Sequence, residues 1–199
     1  LRGYVRICAP YQRVDTARNR IVAAFMELVT RDDATLIMLD CDHAHPQDIV
    51  IQLAGYPQEI GVVGALYFRR GPPFDPLFFV RHGEALRGPA EYERGVLYEV
   101  DAVATGAIAI KRWVFSRLLE SGASLPFFRY EYKEGDAYWS MTEDIYFAER
   151  CEKAGIRHYC DTGIITPHIH QTLITADNWE RYKEEHPEII EKSVLLQSE

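Results

Sequence analysis

The stretch TLIMLDCDHAHPQDIV (residues 35–50) contains the pattern from which the fold and the function can be approached. Thr35–Leu39 is a short apolar run typical of a buried β-strand, and Asp40 and Asp42 follow it at once. In open α/β sheets, ligands bind beyond the carboxyl ends of the strands. Two carboxylates two residues apart can face the same way there and bind a hard divalent cation. The alternative is structural: Asp40 caps a turn and Asp42 is merely solvated.

Outward from this stretch, predicted strands and helices alternate. Residues 4–9 (YVRICA) are strand-like, a helix starts at about Asp15, and Pro46 opens a short second helix. Residues 60–68 (IGVVGALYF) form the next apolar strand. This β-α-β-α-β order predicts an α/β fold with a mostly parallel sheet flanked by helices.

The second half of the chain begins with an irregular segment. Residues 69–98 are rich in Gly, Pro, Arg and aromatic residues, and an irregular stretch of this length inside a compact domain is usually functional or partly mobile. Beyond it we predict a strand in YEVDAVATGAIAIKR, a helix capped by Thr142, a strand in IRHYCD, a loop in TGIITPHIH and a final amphipathic helix. We therefore expect one domain over residues 1–175 and a helical tail over residues 176–199.

Composition excludes several classes of protein. The 199 residues suffice for one domain with a sizeable core, and a formal net charge of −8 argues against a protein that coats nucleic acid. No apolar run approaches the roughly 20 residues that cross a bilayer, so no transmembrane segment is expected. The four cysteines lack CxxC spacing, and a reducing cytoplasm is the predicted location. The apolar C-terminus could pack on this domain or on a partner, which leaves an oligomer open.

Two further groups of residues could carry chemistry. Glu143 and Asp144 lie in the first turn of the predicted helix, where acids ordinarily complement the helix dipole, yet one of them could be a general base. His168 and His170 follow the last strand, and either imidazole could bind a metal. The structural alternative for both histidines is polar surface.

Six segments together resemble a glycosyltransferase of the GT-A fold, most like family 2: VDTARNRIV, LIMLDCDH, GALYFRR, VDAVATGAIAIKRWVF, TEDIYFAERCEKAGI and CDTGIITPHI. The order of the D-x-D pair, the Gly-containing strand, the E-D helix and the late histidine carries the resemblance. It implies a GT-A fold, a Rossmann-like mixed and mostly parallel sheet, apparently short of one N-terminal β-α unit. That departure puts recognition of the nucleoside base in doubt.

The resemblance implies a metal and donor site. Asp42 would bind Mn²⁺ or Mg²⁺ directly, and Asp40 would contact the ribose or sugar of the donor and could also face the metal. His168 would close the metal site, with His170 as the alternate ligand.

The resemblance also implies a catalytic base. Asp144 would remove the proton of the acceptor hydroxyl, with Glu143 beside it. Arg18 would face the donor, and Gly106 would let the backbone approach the transferred sugar. A base so placed implies inversion at the anomeric carbon.

The implied activity is transfer of a hexose from a nucleotide-diphosphate sugar, UDP-sugars being the commonest donors, to a glycan, lipid-linked or protein acceptor. One rival is a haloacid-dehalogenase-like phosphatase with Asp40 as nucleophile, although DCDHAH lacks the usual threonine. The other is a non-catalytic carbohydrate-binding or assembly subunit on the same scaffold. Aromatic residues that could stack on sugars serve either interpretation, with core packing as their alternative: Phe127, Phe128, Tyr130, Tyr132, Tyr138 and Trp139.

Overall fold

The computed structural model describes residues 4–9, 12–132, 141–170, 173–192 and 194–195. The protein is a mixed α/β structure built on a five-stranded sheet with helices packed against it. In chain order the elements are α1 (Val14–Leu28), β1 (Thr35–Leu39), α2 (Ile49–Ala54), β2 (Val62–Leu66), β3 (Phe78–His82), β4 (Ala85–Arg87), β5 (Pro89–Glu91), β6 (Leu97–Val100), β7 (Ala102–Val103), β8 (Ala107–Lys111), α3 (Arg112–Glu120), α4 (Glu143–Lys153), β9 (His158–Ile165), β10 (His168–Ile169), β11 (Leu173–Ile174), α5 (Ala176–Glu185), a 3₁₀ helix (Pro187–Lys192) and β12 (Val194–Leu195).

The central sheet has the strand order β1-β8-β2-β9-β6. β8 lies antiparallel between β1 and β2, with Leu36 opposite Ile110 and Val62 opposite the same residue on the other side. β2 and β9 pair in parallel, and β6 is antiparallel to β9. The expectation of a mostly parallel sheet is therefore wrong for the hydrogen-bonded pairs. β1, β2 and β9 do run in the same direction, but β8 separates the first two.

Two local predictions also differ from the structure. Residues 4–9 contain no strand; Tyr4 and Val5 are 87% and 62% exposed, so their apolar pattern is not buried in a sheet. Residues 69–98 are less irregular than expected, because β3 and β4 form a hairpin that turns at Gly83, whose φ of +61° suits glycine. β3 also pairs with β7, which makes a small three-stranded sheet beside the central one.

The central sheet separates two apolar clusters. Alternation along β8 sends Ile108 and Ile110 into the larger cluster and Ala107 and Ala109 into the smaller one. The larger cluster includes side chains of α1, α3, α4 and α5, whereas the smaller one includes those of α2. Helices therefore cover both faces of the central sheet.

Helix α5 belongs to this packing. Its Trp179 is fully buried in the larger cluster together with Ala176. The boundary predicted after residue 175 therefore falls at the start of a helix packed on the main core. None of the helices in the described part of the chain has the length and apolarity needed to cross a bilayer.

Candidate metal centre

The loops that follow β1 and β9 are joined by backbone hydrogen bonds. The Ile169 N–H donates to the Asp42 carbonyl at 2.8 Å, and the Ala44 N–H donates to the Pro167 carbonyl at 2.9 Å. His43 and His168 pair as an isolated antiparallel bridge between these two bonds. The D-x-D loop and the PHIH loop thus form one small surface beyond the sheet.

Asp42, His43 and His168 converge on this surface. One carboxylate oxygen and one ring nitrogen from each histidine lie within 4.8 Å of one another, a spacing that one cation could bridge. The rings of His43 and His168 have their centroids 4.1 Å apart. A carboxylate with two imidazoles is a donor set that transition metals accept, and the carboxylate also suits Mn²⁺.

Backbone carbonyls fix the orientation of both imidazoles. Nδ1 of His43 lies 3.1 Å from the Thr166 carbonyl, and Nδ1 of His168 lies 2.6 Å from the Phe68 carbonyl. Because a carbonyl can only accept, each Nδ1 must carry the proton and each Nε2 must present its lone pair. Nε2 of His43 is buried and has no hydrogen-bond partner among the described residues. A buried, unpartnered lone pair of this kind fits a metal ligand.

Burial keeps these imidazoles neutral. It lowers the pKa of His43 to about 4, with the adjacent His168 adding to the effect. Burial also lowers the pKa of His168. At neutral pH both rings are therefore in the form that can coordinate a cation.

Gly106 makes room for this arrangement. A Cβ at this position would lie 2.7 Å from Nε2 of His43 and 2.9 Å from Cζ of Tyr67. The Gly106 N–H donates to the Tyr67 hydroxyl at 2.9 Å, and the Tyr67 ring makes T-shaped contacts with both histidines. The glycine predicted to admit a sugar thus borders His43 directly.

Arg18 and Asp40 form a separate ion pair, in which Arg18 is buried and Asp40 is partly exposed. Arg18 is 4% exposed, and its two terminal nitrogens lie 3.2 and 3.0 Å from the two Asp40 oxygens. It also donates to the Thr105 carbonyl at 3.1 Å and to Oε1 of Glu143 at 3.4 Å. Both oxygens of Asp40 accept from Arg18, so Asp40 is not one of the three converging groups. Arg18 likewise faces these carboxylates rather than open solvent.

The E-D pair divides into a buried and a partly exposed acid. Glu143 is buried beside Arg18, whereas Asp144 is partly exposed and accepts hydrogen bonds from the Thr142 hydroxyl and, at 2.8 Å, from the Ile145 N–H. Burial, followed by the charge of Glu143, raises the pKa of Asp144. Burial and then the charge of Asp144 raise the pKa of Tyr67, whose ring contacts His43.

Some sequence-predicted residues lie elsewhere. His170 is exposed and is not part of the converging group. Phe127 and Phe128 are core residues, and Tyr132 is 61% exposed. Tyr130 is described beside Arg13, whereas Tyr138 and Trp139 lie outside the described residues.

His43 is the ligand candidate that sequence reasoning missed. Strict alternation would turn it away from Asp42, but β1 ends at Leu39, so alternation no longer applies at residues 42 and 43. The signal available in the sequence was the run of acid and imidazole groups in DCDH.

Comparisons with known proteins identify similarity of fold. No family model and no curated protein matches the chain. A solved structure described as A197 from STIV matches with a TM-score of 0.56 at 18% identity, covering 84% of this chain and 74% of its own. At this identity the likeness concerns the α/β fold alone.

Proposed function

We propose that the protein is a metal-dependent inverting glycosyltransferase of the GT-A fold. It would transfer a sugar from a nucleotide-diphosphate donor, with UDP-sugars the first to test, to an acceptor hydroxyl on a glycan, lipid or protein. The observation that supports this most strongly is the convergence of Asp42 and His168, which come from loops far apart in sequence.

The donor set favours Mn²⁺ over Mg²⁺. Mg²⁺ prefers oxygen ligands in a strict octahedron, whereas two imidazoles are better accommodated by a transition metal. A cation held by Asp42, His43 and His168 would neutralise the charge that develops on a diphosphate leaving group. His43 and His168 are oriented for this by the carbonyls that accept their Nδ1 protons.

Asp144 is the proposed general base. Asp144 retains some solvent exposure as a residue, and desolvation followed by the charge of Glu143 raises the pKa of its carboxyl, which increases its affinity for a proton. Glu143 is less suited to that task, because it is buried in contact with Arg18. Within the proposal, Arg18 and Glu143 hold Asp40 and the start of α4 in position.

The phosphatase alternative is disfavoured by Asp40. That chemistry needs the first aspartate of the D-x-D pair as a free nucleophile, and both Asp40 oxygens accept hydrogen bonds from Arg18.

A non-catalytic carbohydrate-binding subunit would share the cation and donor site but would not turn a donor over. Metal-stimulated hydrolysis of a UDP-sugar separates the enzyme from that subunit.

Donor binding can be measured by thermal shift and calorimetry with a set of nucleotide sugars, with and without Mn²⁺. We expect a donor that stabilises the wild-type protein only when Mn²⁺ is present, because a ligand of the folded state raises its stability. Asp42→Ala and His168→Ala should abolish this effect, and His170→Ala, which changes an exposed histidine nearby, should retain it. Unchanged Mn²⁺ and nucleotide affinity in Asp42→Ala would refute the proposed site.

A further inference from the structure

Two adjacent arginines after β2 have different partners. Arg69 pairs with Asp75, its Nε and Nη2 lying 2.6 and 3.1 Å from the two carboxylate oxygens. Arg70 instead reaches across to Asp42, with Nη2 contacting Oδ2. The two arginine side chains are about equally exposed, at 51% and 48%. Arg70 is thus a half-exposed cation paired with Asp42, the carboxylate of the candidate metal centre.

Because of this contact, Arg70 and a cation at that centre would compete for Asp42. Asp42 supplies the only carboxylate among the three converging groups, since the other two are imidazoles. A divalent ion on Asp42 would replace the favourable pairing with Arg70 and repel the guanidinium, because like charges at contact distance repel. Since the Arg70 side chain is half exposed, it can leave Asp42 without opening the core.

A released guanidinium would lie beside the place where a diphosphate binds the cation. Arginine forms paired hydrogen bonds with phosphate oxygens, which makes it a suitable second contact for that group. We propose that Arg70 occupies Asp42 in the metal-free protein, competes with the divalent cation, and contacts the diphosphate of the donor once the cation has displaced it. This rests on the proposed function, whose cation and donor it uses.

The proposal predicts opposite effects on two affinities. In Arg70→Gln, Mn²⁺ alone should bind about two- to fivefold tighter, since an exposed ion pair of this size no longer opposes it. UDP at saturating Mn²⁺ should bind about 10- to 100-fold weaker, the usual loss for a charge-assisted hydrogen bond. Both are measured by calorimetry on the full chain.

Arg69→Gln is the matched control, because it removes the same charge one residue away from a different carboxylate. It should leave both affinities within about twofold of wild type. Arg70→Lys, which keeps the charge but loses the paired hydrogen bonds of the guanidinium, should bind UDP more weakly than wild type and more tightly than Arg70→Gln. Equal behaviour of the two glutamine variants would overturn the proposal, as would Mn²⁺ binding in Arg70→Gln that is unchanged or weaker. UDP affinity that survives Arg70→Gln would overturn it too.

Asp42→Ala distinguishes this failure from failure of the proposed function. If Asp42→Ala binds Mn²⁺ as tightly as wild type, the metal site itself is wrong. If Asp42→Ala loses Mn²⁺ while Arg70→Gln matches wild type, the metal site stands and only the role of Arg70 is refuted.

Discussion

At the scale of single residues, the candidate site depends on one missing methyl group. Gly106 lies where a Cβ would approach Nε2 of His43 to 2.7 Å. His43 cannot easily retreat, because its other nitrogen is held by Thr166. The space at Gly106 and the hydrogen bond to Thr166 together determine the orientation of the His43 ring and the direction of its Nε2 lone pair.

Gly106→Ala tests this directly. We expect a loss of about 1–3 kcal/mol in the free energy of unfolding from overpacking, together with weaker Mn²⁺ binding as His43 is displaced. Gly71→Ala is the matched control, because a Cβ there has no heavy atom within 4 Å. Chemical denaturation and metal titration measure the two effects. Normal Mn²⁺ affinity in Gly106→Ala would mean that His43 is not a ligand.

The two acids of α4 should respond differently to neutralisation. Asp144→Asn should reduce turnover by about 10²–10⁴-fold while donor binding is retained, as expected for loss of a general base. Glu143→Gln should cost about 1–3 kcal/mol of stability, because it weakens a buried contact with Arg18. Turnover, donor affinity and thermal unfolding separate the outcomes. A folded Asp144→Asn protein with near-normal turnover would contradict the assignment.

The sequence predicted Asp42 and His168 for the same ion, and the structure brings them together. It predicted Asp40 there as well, but nothing in the local pattern indicated that Arg18, 22 residues earlier, would bind both oxygens of that carboxylate. Residue type and a strand end suffice to propose a ligand. Residue type and position do not show which of two neighbouring carboxylates will form an ion pair with a distant arginine.

At the scale of elements, long patterns with clear ends were predictable. α1, β1 and α4 lie close to where periodicity and capping residues put them. The predicted strand at residues 4–9 is absent from those described residues, and the strands β3 to β5 were missed. β4 and β5 have three residues each, too few for alternation to be recognised. β4 is defined by pairing with β3 across a turn, and β5 by pairing with the distant β12.

Helix α5 provides a test at this scale. Trp179 is fully buried in the larger cluster, so Trp179→Ala should destabilise the whole protein by about 3–5 kcal/mol. Leu119→Ala, at a half-exposed position of α3, should cost far less. Denaturant unfolding followed by a signal from the central sheet measures both. A small effect of Trp179→Ala would indicate that α5 is an independent tail, as the domain boundary after residue 175 suggests.

At the scale of the whole molecule, the strand order could not be predicted from the sequence. The alternating pattern implied neighbouring parallel strands, yet β8 enters between β1 and β2 from much later in the chain. Each apolar strand is compatible with several neighbours, and the choice is made by the packing of both faces at once. The α/β fold class could therefore be predicted from the sequence, whereas the order of the strands and the direction of each strand pair could not.

The stability of the whole chain should depend on pH through a buried histidine. Burial lowers the pKa of His158 to about 4, and neither ring nitrogen has a hydrogen-bond partner among the described residues. An unfolded histidine has a pKa of about 6.5, so the unfolded state binds the proton first as pH falls. This contribution to stability is complete above pH about 6.5 and is lost towards pH 4, by at most about 1.4 kcal/mol per pH unit.

Unfolding free energies measured between pH 4 and 7 test this. His158→Leu should flatten the slope by up to one proton, whatever its effect at pH 7. His43, whose pKa is also lowered to about 4, should account for part of the slope that remains. An identical slope in wild type and His158→Leu would show that His158 does not titrate in this range.

If the proposed metal site is correct, the backbone bonds that tie residue 42 to residue 169 also determine when the folding chain can first bind an ion. His43 and Thr166, which lie in the two loops joined by these bonds and are hydrogen-bonded to each other, are 123 residues apart in the sequence. Contacts across such a separation form late in folding, because the chain must first lose the entropy of closing the loop. Manganese capture during refolding would therefore mark chains that have completed their topology, and early release during unfolding would mark the first break in it.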